Sequence, residues 1–136
     1  MQNADSSIRT ANLTLKRPIE NMTEYVLNLQ RRNAYQINNS EAVYAIGEFA
    51  PPSAIHRSST IVKGGTGWGV QMGIDKGKPV YLYEQSQGKW FKWNKAADRF
   101  TTIKEPPKPP SRWAGIGIRK INQRGSEAIS LSLIHI

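Results

Sequence analysis

A chain of 136 residues and 15.3 kDa has room for one compact domain and excludes two large ones, at about 100 to 200 residues per domain. Lysine and arginine number 19 against 10 acidic residues, a net +9 that favours phosphate-bearing partners, yet the basic residues are scattered and form no binding tail. The absence of cysteine excludes disulfides, thiol nucleophiles, thiolate zinc sites and iron–sulfur clusters, while a mean hydropathy of −0.54 points to long polar segments around a core that four tryptophans help to fill.

Met1 to Thr10 is polar, with Asp5 and two serines where a signal peptide would need an apolar centre. No stretch approaches the roughly 20 apolar residues of a membrane span. A cytoplasmic protein without a membrane partner is the expectation. Residues 1–22 lack apolar periodicity and carry Pro18, which predicts a polar arm or the remnant of an upstream element. From Asn21 as a possible N-cap, with Glu24 three residues on, the spacing of Met22, Tyr25, Val26, Leu29, Asn33 and Ile37 predicts a helix over 23–36. Ala42 to Ile46, closed by Gly47, reads as a buried parallel strand.

Residues 48–60, with Pro51-Pro52 and several serines, predict an inserted surface loop. Gly64-Gly65-Thr66-Gly67 then opens a short helix that Gly77 closes, and Pro79 to Tyr83 forms a second buried strand, completing a right-handed βαβ crossover. Lys89 to Trp93 and Arg99 to Ile103 predict an antiparallel hairpin decorating one sheet edge. Glu105 to Pro110 must be extended because proline fixes φ; the PxxPxR pattern of Pro107 to Arg112 is read as a stiff connector. Trp113 to Gly117 gives a third strand and Lys120 to Ser130 an amphipathic helix start. The pattern specifies an α/β fold, an open parallel sheet with flanking helices and an inserted β-hairpin. Leu131 to Ile136 resembles the translation of a sequencing-library adapter and is set aside, which makes His135 no ligand candidate and leaves a domain at 23–130 that is expected to be truncated.

Chemistry concentrates at two glycine turns. Gly64, Gly65 and Gly67 let backbone approach a ligand, and a helix starting there aims unpaired N–H groups and its dipole at one point, worth about 0.3–2 kcal/mol to an anion from the dipole alone. The spacing is neither GxGxxG nor a P-loop, and a simple tight βα turn is the alternative reading; Gly69 and Gly73 suit close packing on the sheet. In the second turn, Ala114-Gly115-Ile116-Gly117-Ile118-Arg119, glycines end a strand at the carboxyl edge and Arg119 stands ready to fork two donors onto a phosphate. Glu84, just after a strand at the same edge, is a candidate for a ribose hydroxyl. Trp90, Phe91 and Trp93 serve either base stacking or the core. His56 has no second histidine or carboxylate cluster for a metal.

Ala42 to Gly47, Gly64 to Ile74, Lys78 to Tyr83 and Ala114 to Arg119 together resemble the SLOG superfamily, the Rossmann-like nucleotide-binding fold of DNA-processing protein A and the Lonely Guy phosphoribohydrolases. The AGIGIR turn follows the GGTG turn here, the order of circularly permuted phage and bacterial members, and the likeness covers residues 23–130. The resemblance implies a nucleotide or nucleotide-derived phosphate ligand on Gly64, Gly65, Thr66, Gly67, Gly115, Ile116, Gly117 and Arg119, and a homodimer as in many relatives. Residues 1–22 hold no GGAxGxD-like loop of that superfamily. Gln71 stands near the position where Lonely Guy enzymes carry a glutamate; it can hold a ribose or base but cannot transfer a proton, which favours a non-catalytic sensor or carrier without a further cofactor. The alternatives are a phosphoribosyl or N-glycoside hydrolase that relies on Glu84, and a DNA-binding module that relies on the positive charge.

Overall fold

The computed structural model describes residues 2–19 and 22–117. The chain runs through α1 (Gln2–Leu15), α2 (Glu24–Asn38), β1 (Ala42–Gly47), α3 (Gly64–Asp75), β2 (Val80–Glu84), β3 (Lys89–Asn94), β4 (Arg99–Ile103) and β5 (Trp113–Ile116). The strands form one sheet in the order β4-β3-β2-β1-β5. Its centre is parallel, with Val43 opposite Val80 in β2 and opposite Ala114 in β5. The β3–β4 hairpin extends the β2 edge antiparallel, with Leu82 opposite Phe91 and Trp93 opposite Phe100. This is the mixed α/β architecture expected, compatible with a Rossmann-like fold. The predicted helix from Lys120 and the adapter-like tail fall outside the described residues.

Residues 2–15 correct one expectation. In place of a polar arm they form a helix whose Ala4, Ser7, Ile8, Ala11 and Leu15 are buried. The spacing is helical, but three of these five positions are alanine or serine. Asp5 locks α1 to α2 by accepting from Arg31 Nε at 2.6 Å and from Nη2 at 3.1 Å. That forked pair holds the Asp5 carboxyl below its usual range. The α2 helix starts one residue later than the predicted 23 and runs two residues past the predicted 36, and its cap is Thr23, whose hydroxyl accepts from Val26 N at 3.2 Å.

The three helices cover one face of the sheet. Val43, Ala45, Val80, Leu82, Ala114 and Ile116 meet Ile8, Ala34, Ile37, Trp68, Val70 and Met72 there, all buried. Helix α3 lies so close that a Cβ at Gly69 would come within 2.8 Å of Ile116 Cγ2, and one at Gly73 within 2.9 Å of Val43 Cγ2. These two glycines are packing residues. Gly77, at φ +71, ends α3 and donates to Ile74 O at 3.0 Å. The opposite sheet face is aromatic: Tyr44, Tyr81, Tyr83 and Trp90 cluster with Ala42 and Ile46. The proline segment crosses near it, with Pro106 and Pro109 buried and Tyr44 OH donating to Pro107 O at 2.8 Å. Burial pushes the Tyr44 phenol up to about 12, so it stays a donor at neutral pH. The inward prolines make this segment a packed connector.

Residues 48–63 are more than a surface insertion. Phe49 bridges Val62, Ala50 N donates to Ile61 O at 2.8 Å, and Phe100 N donates to Ser59 O at 2.8 Å, pinning the excursion to the outer strand of the hairpin. Phe49 packs edge-on against Phe91 at 4.9 Å between centroids and tilted against Phe100 at 5.5 Å. The hairpin therefore supports the loop that delivers the chain to α3. Among the described residues no helix is long and apolar enough to cross a membrane.

Candidate functional site

Parallel strands bring their carboxyl ends to one edge, and in this sheet that edge holds Gly47, Glu84 and Gly117. The chain leaving β1 crosses over α3 to β2, whereas β5 joins β1 on its other side. The carboxyl edge, where the β1–α3–β2 crossover begins, is the usual ligand side of an open α/β sheet. Thr66 and the two glycine turns meet there. A Cβ at Gly117 (φ +78) would lie 2.7 Å from Thr66 Oγ1 and against the Ile46 carbonyl, and one at Gly47 would lie 3.3 Å from Thr66 Cγ2. The half-buried Thr66 hydroxyl has no hydrogen-bond partner among the described residues.

The N-terminus of α3 faces solvent at the same edge. Its N-cap, Lys63, makes no side-chain capping bond, and its first turn has no acidic residue. The first N–H groups of a helix have no intrahelical acceptor, so those of Gly64, Gly65 and Thr66 are open to an outside anion. Gly64 sits at φ +72 with open space where a Cβ would be, and Gly65 would meet only Gln30 Nε2, at 3.5 Å. Both are exposed. A side-chain anion, the usual partner of a helix N-terminus, is missing from this turn.

Arg17 adds positive charge. It lies in the segment expected to be a loose arm, yet its Nη1 donates to Gly64 O at 2.8 Å and its Nη2 to Val62 O at 3.0 Å. Its guanidinium also stands 5.6 Å from the centre of the Trp68 ring. Carbonyl oxygens orient this cation without neutralising it, and no carboxylate pairs with it among the described residues. Burial depresses its pKa from the ordinary guanidinium value. Buried Gln30 steadies the same turn, donating to Gly65 O at 3.4 Å while accepting from Asn33 Nδ2 at 3.0 Å. Lys63 Nζ pairs with Glu48 Oε2 at 3.0 Å beside this turn, and neither this pair nor Arg17 and Gln30 belongs to a local sequence motif.

The remaining candidates separate. Gly67 is buried beneath the Val62 carbonyl and is a packing glycine. Ile116 is core, against α3, and Gly115 pairs with Tyr44 inside the sheet. Gln71 is buried and donates to Asp75 Oδ1 at 2.9 Å, facing a cleft of about 340 Å³ lined also by His56, Trp93 and Ile74. Burial there raises the Asp75 carboxyl above its ordinary value, against the lowering effect of the Gln71 bond. His56 contacts Leu15 O at 3.3 Å. Arg119 lies outside the described residues. Among the described residues no group of three or more metal-ligating side chains converges.

Glu84 is 2% exposed, and its carboxylate accepts four hydrogen bonds. Oε2 accepts from Phe49 N at 2.8 Å; Oε1 accepts from Ser86 N at 2.7 Å, Ser86 Oγ at 2.5 Å and Gln87 N at 3.2 Å. Burial works to raise its pKa, but these donors outweigh burial and hold it below the ordinary carboxylate value. Glu84 fastens the β2–β3 turn to the loop after β1. Trp90, Phe91 and Trp93 pack with Tyr83, Phe49 and Phe100 as part of the cores. No family model, curated protein or solved structure matches the chain.

Proposed function

We propose that this protein binds a nucleotide or nucleotide-derived phosphate at the carboxyl edge of its parallel sheet, as a non-catalytic module of SLOG type. The observation that carries the reading is an uncapped, glycine-opened helix N-terminus, without acidic neighbours in its first turn, at the sheet edge where Thr66 and Gly117 converge. A phosphate seated there accepts from the N–H groups of Gly64, Gly65 and Thr66 and from the Thr66 hydroxyl, and it offsets the charge of Arg17.

Hydrolysis of an N-glycosidic bond needs a carboxylate that can exchange a proton with substrate. Glu84 is buried and already accepts four protein hydrogen bonds, which weighs against the residue on which that alternative relied. A thermal-shift screen of the full chain against nucleoside mono- and diphosphates, inorganic phosphate and short single-stranded DNA, at two salt concentrations, tests the reading. A ligand at about 100 times its Kd adds roughly 2.7 kcal/mol to stability, and a mononucleotide is expected to do so at both salt levels. Stabilisation by DNA alone, lost at the higher salt, would transfer function to the diffuse positive charge.

A further inference from the structure

The excursion between β1 and α3 is anchored on three sides and arches over a space it does not fill. Phe100 N donates to Ser59 O at 2.8 Å and Arg99 Nη2 to Ser58 Oγ at 3.1 Å, which fixes the excursion to the hairpin. His56 ties it to α1, with Nε2 3.3 Å from Leu15 O. Arg57 reaches the hairpin turn, where its Nη2 donates to Asp98 O at 2.7 Å. Between these anchors and the second half of α3 lies the cleft of about 340 Å³, a volume at the lower end of small-molecule sites.

One wall of this cleft offers acceptors without donors. Gln71 is 6% exposed, and its Nε2 donates to Asp75 Oδ1 at 2.9 Å, one helical turn on, which fixes the end of the amide that carries oxygen. Gln71 Oε1 has no partner among the described residues, and no closed-off side-chain oxygen or nitrogen among them lacks one. The small exposed area of Gln71 therefore includes Oε1, on the cleft that this residue lines. Asp75 Oδ2 also has no protein donor among the described residues. The other walls are apolar and flat: Ile61, Ile74 and the half-buried indole of Trp93, which stands edge-on to Phe100 with 5.2 Å between centroids. Ile55, 59% exposed, forms the lip.

These surfaces complement one kind of occupant. Two neighbouring acceptors call for two neighbouring N–H donors, and an indole beside aliphatic side chains calls for a flat ring. An adenine edge pairs its amino group with a ring acceptor, which would face the carboxylate lone pairs. An alkyl guanidinium has the donors without the ring, and the net +9 of the chain disfavours a cation. We propose that this cleft binds a guanine-type base, a planar heterocycle with a ring N–H beside an exocyclic amino group. Asp75 Oδ2 and Gln71 Oε1 accept from that edge, and the ring lies against Trp93. The site is separate from the N-terminus of α3 and does not rest on the phosphate reading.

Titration of the full chain with guanosine, inosine and adenosine, followed by tryptophan fluorescence and calorimetry, tests this. None of the three carries a phosphate, so the outcome is independent of the helix N-terminus. Guanosine is expected to bind saturably and to quench the indole it covers. Inosine, which lacks only the amino group, should bind about tenfold or more weakly, the scale of one hydrogen bond to a charged acceptor. Asp75→Asn keeps an oxygen for Gln71 Nε2 but turns an NH2 toward the base, and it should lower guanosine to the affinity of inosine or below. Asp75 lies at the exposed mouth, so melting should be unchanged. Trp93→Phe keeps a ring against Phe100 and should remove the quench, although three other tryptophans remain. Guanosine that does not bind, or binds no more tightly than inosine and adenosine, overturns the proposal whatever the variants do. A preference that survives Asp75→Asn, or a quench that survives Trp93→Phe, overturns it as well.

Discussion

Replacing Gly67 with alanine separates a packing glycine from a ligand-binding one. In an exposed helix interior the change stabilises by about 1 kcal/mol. Here the new methyl would overlap the Val62 carbonyl and come within 2.8 Å of Arg17 Nη2. The neck of the loop must move away from α3, at about 1–3 kcal/mol for an overpacked site. The 3.0 Å bond from Arg17 to Val62 O is broken with it, a charge-assisted bond worth about 1.5–3 kcal/mol in its half-buried setting. After subtracting the propensity gain, the net loss is roughly 1.5–5 kcal/mol. At about 4 °C per kcal/mol for a domain near this size, melting falls by roughly 6–20 °C. Differential scanning calorimetry of Gly67→Ala beside Gly65→Ala reads this directly, because a Cβ at Gly65 meets only Gln30 at 3.5 Å and should leave melting unchanged or slightly raised. A Gly67→Ala protein as stable as the wild type would refute the packing argument.

Glu84→Gln can keep its carbonyl toward the three donors on Oε1 but then turns its amide nitrogen toward Phe49 N, at about 1–3 kcal/mol, and should destabilise by that amount in urea titrations. The same carboxylate sets an acid limit. Its folded pKa is depressed below the ordinary 4.5, so its contribution is complete above that value and is lost as pH falls through the folded pKa. Stability should drop below about pH 4.5 in the wild type and more gently in Glu84→Gln; parallel pH profiles would exclude Glu84 as the source. Phe49→Ala removes the ring between Phe91 and Phe100 and should cost about 2–4 kcal/mol. Amide exchange should then quicken at Phe100, which donates to the loop.

The buried strands were legible because Ala42 to Ile46 and Val80 to Tyr83 are continuous apolar runs punctuated by glycine and proline, and only a covered parallel strand tolerates such runs. The hairpin announced itself by its aromatics. Helix α1 was hidden because its inward face is built from Ala4, Ser7, Ile8, Ala11 and Leu15, and alanine and serine register weakly in a hydrophobic period. The position of the two glycine turns at the sheet edge followed from parallel topology, but the division of labour within them did not. Gly64 and Gly67 look alike in sequence, yet one meets open space and the other a carbonyl. Glu84 had the right place and the wrong availability, since its partners Phe49 and Ser86 are fixed by tertiary structure and a turn. Arg17 and the Glu48–Lys63 pair carry no local motif; only the approach of α1 and of the loop neck to α3 reveals them.

Gly65→Asp tests the anion site most directly. The side chain has room beside Gln30, and a carboxylate in the first turn answers the helix dipole, so the fold should hold or gain about 0.3–1 kcal/mol. That carboxylate occupies and repels the position proposed for phosphate. Titrating wild type and Gly65→Asp with the nucleotide that stabilises the wild type should show binding lost in a variant that melts no lower. Equal affinity in the two proteins would contradict a phosphate site at this helix N-terminus.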